Sequence, residues 1–404
     1  MSPFTPAQVG CSAERLTRVS ALIQRYIDEG KLPGVIATIS RRGQTVYQEK
    51  FGWMDIEARK PMQFDAIFRI ASMTKPITSV AAIMLYEEGH FNLNTPVYEF
   101  IPAFKDAKVF VRETENGPEL ADLERPITMR HLFTHTSGLS YGFNPADPVD
   151  KLYLQARQQR EREETPETLQ NAIEALARLP LAFQPGTHWR YSMSIDVLGY
   201  VIQVIAVMPY EQFLQERLLE PLGMVDTAFY VPPAKLDRLC GLYGHTPDQP
   251  GLHQVTWRPV YNEPPSHPNP GGGLFSTTHD YGRFAQMLVN GGELAGVRLL
   301  SPKTVALMEM NQAPAEALPY GFGKHDTYHT GYGYGLGMRV LMDVAANGLA
   351  GSVGEFGWDG AFNTYFWIDR KEALYGLLMM QHGPNGYYPI ARQFKTVTYQ
   401  ALVN

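Results

Sequence analysis

Alternation of apolar and polar positions predicts helices and strands at both ends of the chain. Residues 12–29 carry apolar side chains three and four positions apart, which is typical of an amphipathic helix. Two strand-like runs follow at 34–40 and 44–52, and the short turn between them predicts a hairpin. The patterns near the other end are two strands and a helix, at 363–369, 373–381 and about 388–402. We therefore expect the two termini to build one layer of sheet and helix.

The middle of the chain has a different pattern. From about 92 to 260, helical segments such as 150–178 and 194–219 alternate with loops rich in proline and glycine. The sequence predicts a mainly helical, all-α subdomain at 92–260, inserted into an α/β (α+β) subdomain made of residues 1–91 and 261–404. A cleft between two subdomains is a common ligand site, so we expect the active site in that cleft.

One helix pattern begins beside candidate chemistry. Residues 69–85 read RIASMTKPITSVAAIML, and the apolar positions after Pro76 step by three and by one, as on a buried helix face. Because proline is tolerated only in the first turn, this helix must begin close to Ser72. Ser72 would then lie at a helix N-terminus, where free N–H groups favour negative charge, and Lys75 would follow one turn later on the same face.

Ser72 and Lys75 form a candidate nucleophile and base. A serine is a poor nucleophile unless a neighbour takes its proton. A lysine can do so when burial lowers its pKa from about 10.4 towards neutrality. The alternative, a helix cap with a surface lysine, fits any chance S-x-x-K match. The position of this one, after strands and at the start of an apolar helix, favours the catalytic interpretation.

Two later elements add to this pair. Tyr191 stands just before the helical run that begins at Ile195, where its hydroxyl can join a proton relay; simple packing is the alternative. The turn Trp358-Asp359-Gly360-Ala361 precedes the strand at 363–369, and its small residues let a backbone N–H approach a substrate closely. Each element alone is weak evidence for catalysis. Their order along the chain is what favours an active site.

Composition excludes several classes of function. The chain has 404 residues, of which 44% are hydrophobic and 19% charged, with a net charge of −6 and no basic tract. We therefore expect no nucleic-acid or membrane partner. Cys11 and Cys240 have no metal-ligand spacing, so we expect two unpaired thiols and no metal or other cofactor. The N-terminus lacks a signal-peptide pattern, which predicts a cytoplasmic protein.

Other sequence features that are typical of enzymes do not indicate a second active site or a different mechanism here. No G-x-S-x-G sequence is present, which argues against a serine–histidine–acid hydrolase. His135 and His382 are expected to be structural, because lysine and tyrosine already supply the proton transfer. The glycine-rich run 331–337 leads into a strand rather than a helix, so it lacks the context of a phosphate loop.

Taken together, these segments resemble the serine β-lactamase and penicillin-binding protein superfamily. Within it, the chain is most similar to class C β-lactamases and their esterase relatives, the family VIII carboxylesterases. The resemblance implies a β-lactamase-like fold, in which an antiparallel sheet is flanked by helices from both termini and an all-α subdomain is inserted. Besides the segment around Ser72, it rests on residues 127–141, 183–204, 218–230, 270–292 and 334–340.

The resemblance also implies a role for each matching residue. Ser72 matches the acylated serine, and Lys75 and Tyr191 match the groups that share proton transfer. Which of the two is the base in acylation stays open, because coupled groups do not titrate independently. The oxyanion hole would consist of the backbone N–H groups of Ser72 and Ala361.

Departures from the β-lactamase pattern indicate the substrate. Met193 replaces an asparagine that can bind a substrate amide, and Trp358 replaces a lysine that helps to hold a substrate carboxylate. The pocket has thus become aromatic, which predicts small carboxylic esters as substrates. Trp358, Gly360, Tyr141 and Phe143 are the candidate substrate-binding residues. Asp359 stands where family VIII esterases usually have glycine, and we expect it to point to solvent.

Three alternatives remain open at the level of sequence. The same serine could act on amides, as in a β-lactamase or D-amino-acid peptidase. An alcohol could replace water as the acyl acceptor, as in the related statin-synthesising acyltransferases. The chain could also be a catalytically silent member that senses a ligand. The oligomeric state and the natural ester are not indicated by the sequence.

Overall fold

The computed structural model describes residues 5–162, 167–246, 249–256, 261–318, 320–321 and 329–404. The helices in these residues are α1 (Ala13–Asp28), α2 (Thr74–Glu87), α3 (Met129–Phe133), α4 (Pro148–Glu161), α5 (Leu169–Leu176), α6 (Ser194–Ala206), α7 (Tyr210–Leu214), α8 (Thr278–Val289), α9 (Pro302–Met308), α10 (Val344–Asn347) and α11 (Ile390–Tyr399). The strands are β1 (Gly34–Arg41), β2 (Gln44–Asp55), β3 (Lys60–Pro61), β4 (Ile67–Arg69), β5 (Lys108–Thr114), β6 (Gly117–Asp122), β7 (Tyr243–Thr246), β8 (Gln249–Gln254), β9 (Phe275–Thr277), β10 (Glu293–Leu294), β11 (Val297–Arg298), β12 (Tyr332–Tyr334), β13 (Arg339–Leu341), β14 (Phe356–Asp359), β15 (Tyr365–Asp369), β16 (Leu374–Met380) and β17 (His382–Gly383).

An eight-stranded antiparallel sheet forms the centre of the molecule. Its order is β12-β13-β14-β15-β16-β1-β2-β3. Strand β1 pairs with β2 on one side and with β16 on the other, so strands from the two ends of the chain are neighbours. The prediction that both termini build one layer is therefore confirmed.

Helices cover both faces of this sheet, which explains why β1 is buried along its whole length. Val35, Ala37 and Ile39 face a core that includes the apolar sides of α1 and α11. Ile36 faces the opposite way, into a larger core that also contains side chains of α2, α6 and α8. Successive residues of a strand point to opposite faces, so a strand between two helical layers reads as continuously apolar.

The middle region contains helices α3–α7 as expected, together with strands that the pattern did not predict. The hairpin β5–β6 is polar and exposed at most positions, so it lacks the alternation that identifies a strand. Strand β7 runs parallel to β17 and joins the end of the region to the C-terminal part. The helical pattern at 150–178 is divided between α4 and α5, and residues 163–166 lie outside the described part. The subdomain boundaries at 92 and 260 stay a prediction.

Among the described residues, no single helix is long and apolar enough to cross a membrane. Residues Ser194–Ala206 and Tyr210–Leu219 reach that length and composition only as a pair, which is bent by 83° at the break.

A buried ion pair joins the C-terminal helix to the sheet. Lys395 on α11 donates a hydrogen bond to Glu355, with 2.5 Å between Nζ and Oε1, and the two side chains are 0% and 1% exposed. Lys395 also contacts the Tyr332 hydroxyl at 3.2 Å, and the Tyr399 hydroxyl lies 2.9 Å from Glu355 Oε2. Glu355 directly precedes β14, the strand of Trp358 and Asp359, so the pair fixes where that strand begins.

Replacing Lys395 by methionine should lower the free energy of unfolding by about 3–5 kcal/mol, because Glu355 would remain as an uncompensated buried charge. Urea unfolding followed by circular dichroism measures this change. The double variant Lys395→Met with Glu355→Gln should recover much of the loss. Lys151→Met, on an exposed helix position, should stay within about 0.5 kcal/mol of the parent. A loss no larger for Lys395→Met than for Lys151→Met would contradict this interpretation.

Candidate active site

Ser72 lies in a tight turn that opens helix α2. Residues Ala71–Met73 form one turn of 3₁₀ helix, and α2 continues from Thr74 with Pro76 in its first turn, as the sequence predicted. Ala71 has a φ of 44°, a left-handed conformation that costs about 1–3 kcal/mol for a non-glycine residue. The surrounding chain maintains it: the Ile70 N–H donates to the Leu274 carbonyl at 3.1 Å. Side chains from Thr74 to Leu85 are all buried, so α2 is a central helix and not one with a single buried face.

The structure brings Ser72, Lys75 and Tyr191 into direct contact. The Tyr191 hydroxyl donates to Ser72 Oγ at 2.7 Å, and Lys75 Nζ donates to the same oxygen at 3.3 Å. The lysine ammonium also lies over the Tyr191 ring, 4.6 Å from its centroid. Two proton-transfer groups thus share one hydroxyl, which is the geometry that an activated serine nucleophile requires.

Burial of Lys75 brings its pKa closer to neutral pH. Its side chain is 1% exposed, and burial lowers its pKa from the usual 10.5 to about 8, against the opposing charges of Asp196 and Asp359. Burial raises the pKa of Tyr191, and its hydrogen bond to Ser72 only partly offsets this. At neutral pH the tyrosine therefore keeps its proton, while a minor fraction of the lysine is a free amine.

A glycine-rich loop contacts Lys75 through a backbone carbonyl. The Gly271 carbonyl accepts a hydrogen bond from Lys75 Nζ at 2.5 Å. The Gly271 N–H donates to Asp196 Oδ1 at 3.0 Å, and the Tyr141 hydroxyl lies 3.3 Å from the other oxygen of that carboxylate. Sequence reasoning assigned no role to Gly271 or Asp196. The only signals were the PGGG run itself and an acidic residue inside an otherwise apolar helix pattern.

Aromatic rings and a buried histidine hold Tyr191 in place. Its ring lies against those of His135, Trp358 and Trp189, with centroids 4.8, 5.8 and 6.1 Å away. The Ser192 N–H donates to His135 Nδ1 at 3.3 Å. Burial and the nearby Lys75 charge hold the pKa of His135 well below its usual range, so the ring is neutral. These contacts fit the structural role expected for His135.

The turn Trp358-Asp359-Gly360-Ala361 packs against the residues before Ser72 through a close approach of two backbones. A Cβ atom on Gly360 would lie 2.4 Å from the Ile70 carbonyl oxygen, so only glycine fits at this position. The next residue, Ala361, borders the same cavity as Ser72. The oxyanion hole expected from the backbone N–H groups of these two residues stays a prediction.

Asp359 does not point to solvent, contrary to the expectation from sequence. Its carboxylate pairs with the buried Arg339, at 2.9 Å between Oδ2 and Nη1, and accepts a hydrogen bond from Asn385 Nδ2 at 3.1 Å. Arg339 lies on the neighbouring strand β13, and the pairing of β13 with β14 depends on the tertiary sheet. No local pattern around Asp359 could have identified its partner.

A cavity of about 510 Å³ opens from Ser72. Phe143 and Trp358 line this cavity, as predicted. The Phe143 side chain lies at the edge of the cavity and is 64% exposed. Tyr141 and Gly360 do not border the cavity. The Tyr141 ring stacks on that of Phe143, with 4.7 Å between centroids, and its face is turned to the Lys75 ammonium. Gly360 packs on the backbone of Ile70. The other lining residues are Tyr191, His329, Asp359, Ala361, Asn363, Tyr365, Asn385, Gly386, Tyr388, Pro389, Ala391 and Arg392.

One cavity residue that sequence reasoning missed shapes the far wall. Asn363 is buried with a φ of 62°, and its amide donates to the carbonyls of His382 and Pro384 at 2.7 and 3.0 Å. Its Oδ1 accepts from the Gly386 N–H at 3.0 Å. Asn363 therefore holds the loop that carries Asn385. His382, expected to be structural, lies behind this wall with its pKa lowered to about 4 by burial.

Across the described residues, no three His, Cys, Asp or Glu side chains are grouped so that they could bind a metal ion. Cys11 and Cys240 are both buried and unpaired, as predicted.

Comparisons with known proteins show which family this chain belongs to. The sequence profile of the Beta-lactamase family matches residues 19–399. An uncharacterised protein of Mycobacterium tuberculosis is 37% identical over 90% of both chains, and esterase EstB of Burkholderia gladioli is 30% identical over 91% of both. Among solved structures, EstCE1, a hydrolase with promiscuous acyltransferase activity, superposes with a TM-score of 0.80 at 26% identity, covering 95% of this chain and 98% of that one. The chain has the β-lactamase-like fold and belongs to the Beta-lactamase family.

Proposed function

We propose that this protein is a serine hydrolase that cleaves small carboxylic esters through an acyl-enzyme on Ser72. The observation that carries the proposal is the convergence of the Tyr191 hydroxyl and Lys75 Nζ on Ser72 Oγ, at the opening of a cavity walled by Trp358. Relatives named as esterases support the reaction class, at identities near 30%.

Acylation follows from the contacts around Ser72. Its Oγ attacks the ester carbonyl carbon while the free amine of Lys75 takes up its proton. The proton passes directly, or through the Tyr191 hydroxyl, which gives its own proton to the amine as it receives that of Ser72. The carbonyl oxygen becomes an oxyanion, which the N–H groups of Ser72 and Ala361 would stabilise, assisted by the N-terminal end of α2. The C–O bond then breaks, and the alcohol leaves with the proton that the lysine–tyrosine pair had received.

Deacylation uses the same pair in reverse. Water attacks the acyl carbon as the free amine of Lys75 takes its proton, directly or through the Tyr191 hydroxyl, and Ser72 Oγ leaves with the returned proton. An alcohol in place of water would transfer the acyl group instead, so the cavity supports an acyltransferase reaction without any further residue. EstCE1, at 26% identity, is a hydrolase with promiscuous acyltransferase activity.

The cavity walls favour a neutral ester over a charged amide. Trp358 presents an indole where β-lactamases have a lysine, and Met193 caps α6 and packs on the main core without bordering the cavity. A substrate group beside Trp358 gains apolar contact. Phe143 extends the apolar surface at the entrance.

One observation favours the amide or lactam alternative. Arg392 lines the same cavity as the nucleophile, although its guanidinium also donates to the Asn347 carbonyl at 3.2 Å. A guanidinium in this cavity suits the carboxylate of a lactam or of a peptide C-terminus. Proteins described as putative D-alanyl-D-alanine carboxypeptidases are 27% identical to this chain.

Turnover of p-nitrophenyl acetate and of nitrocefin separates the two functions. We expect the ester to be hydrolysed with the higher kcat/KM, and a fluorophosphonate probe to form an adduct on Ser72 that mass spectrometry locates. Ser72→Ala should lose both the adduct and turnover, whereas Ser79→Ala, at a buried serine about two helical turns further along, should keep both. Faster lactam turnover would support the alternative, and an unlabelled Ser72 would support a silent, ligand-sensing protein.

Tyr191→Phe and Lys75→Met should each lower kcat by about 10²–10⁴-fold, because each removes a proton-transfer group from Ser72. Tyr153→Phe removes the hydroxyl of another buried tyrosine, outside the cavity, and should leave kcat within about twofold. Stopped-flow and steady-state hydrolysis of the same ester measure these rates, and circular dichroism checks the fold. Activity near the parent level in either variant would remove that residue from the mechanism.

The ester hydrolysis rate should rise with pH. Lys75 accepts a proton only as the free amine, and burial lowers its pKa to about 8, so kcat/KM should increase as pH rises through that value and level off above it. Tyr191 remains protonated over this range, because its pKa is raised. A pH profile from about 6 to about 10 tests this expectation. An increase centred near about 6.5 would instead indicate a histidine base.

A further inference from the structure

Asp196 is a buried carboxylate that the proposed mechanism does not use. It lies in the first turn of α6, five residues after Tyr191, and is 4% exposed. Its two oxygens accept hydrogen bonds from the Gly271 N–H and from the Tyr141 hydroxyl. Burying an ionised carboxylate is costly unless its oxygens are bonded and a counter-charge lies near, so its presence among apolar residues needs a reason.

We propose that Asp196 is the positioning residue for Lys75, holding the ammonium beside Ser72 through Gly271 and through its own negative charge. This inference deepens the proposed function and rests on it. Gly271 is the connecting residue, since its N–H is bound by Asp196 and its carbonyl by Lys75 Nζ.

The loop geometry supports a dedicated connection. A Cβ atom on Gly271 would lie 2.5 Å from Asp196 Oδ2 and 2.8 Å from the Tyr141 hydroxyl, so only glycine allows the carboxylate this close. On either side, the Pro270 carbonyl accepts from Thr78 Oγ1 at 2.7 Å and the Leu274 N–H donates to Thr74 Oγ1 at 3.1 Å. The loop is therefore attached to α2 at both ends, with Lys75 between the two attachments.

Of the charges that face Lys75, that of Asp196 acts most strongly on the lysine pKa. The groups around the ammonium are Asp196 on α6, Asp359 on β14, the hydroxyls of Ser72 and Tyr191, the ring of Tyr141 and the neutral His135. Of the two carboxylates, Asp196 acts more strongly on Lys75, and Asp359 is already paired with Arg339. Asp196 thus opposes the burial that would otherwise drive the proton off Lys75.

Asp196→Asn tests the proposal, because asparagine keeps an acceptor for the Gly271 N–H but removes the charge. The increase of kcat/KM with pH should move to lower pH by about one unit, since Lys75 loses the carboxylate that favours its protonated form. Tyr141→Phe keeps the ring beside Lys75 but removes one hydrogen bond from the carboxylate, so the negative charge is less neutralised and the increase should move to higher pH, by less than one unit. If Asp196→Asn does not fold, the pH profile of Tyr141→Phe still tests the proposal.

Asp280→Asn is the matched control. Asp280 is equally buried in the first turn of α8 and likewise accepts a backbone N–H and a hydroxyl, from Asp226 and Thr227 at 2.7 and 2.9 Å. Its replacement should lower the melting temperature and leave the pH profile unchanged. If Asp196→Asn or Tyr141→Phe behaves like this control, Asp196 is merely structural and the inference is wrong.

A direct titration separates failure of this inference from failure of the proposed function. The NMR signal of ¹³Cε-labelled lysine, assigned to Lys75 by comparison with Lys75→Arg, follows its protonation without any substrate. A shift of that titration to lower pH in Asp196→Asn supports the inference, and an unchanged titration overturns it. Absence of Ser72 labelling in the parent protein overturns the proposed function regardless of this result.

Discussion

Burial of the Lys75 ammonium is the constraint on which the site depends. An isolated ammonium in a dry interior is strongly unfavourable, so the fold must provide acceptors and opposite charge for it. The Gly271 carbonyl, Ser72 Oγ, the faces of two tyrosine rings and the carboxylate of Asp196 do so. The compensation is incomplete, and this leaves the lysine able to release its proton near neutral pH.

The central position of α2 explains how the two proposed reacting groups are held together. Lys75 lies in the buried first turn of α2, and Ser72 lies in the 3₁₀ turn that leads directly into it. Structures in which loops and strands converge on a rigid helix start can hold catalytic distances closely. The turn Trp358-Asp359-Gly360-Ala361 is held in the same way, because Gly360 packs on the backbone of Ile70. The Lys395–Glu355 pair lies at the start of β14, the strand that leads into this turn.

The aromatic rings around Tyr191 join the Ser72 cluster to the cavity wall. The rings of His135, Trp189 and Trp358 pack on the tyrosine and keep water from its sides, while Trp358 also borders the cavity. The Trp358 side chain therefore contacts both the Tyr191 ring and the cavity.

The amino-acid sequence alone determined the elements whose signals are local. Apolar periodicity identified α1, α2, α11 and the paired terminal strands, and the position of Pro76 placed the helix start at Ser72, because these depend on neighbours within a few residues. Family resemblance connected Ser72 with Tyr191. Tertiary structure decided the rest. Gly271 and Lys75 lie 196 positions apart, Asp359 finds Arg339 only across a strand pair, and Tyr141 lies under Lys75 and not in the pocket. Such contacts arise from the packing of distant segments, which no local pattern encodes.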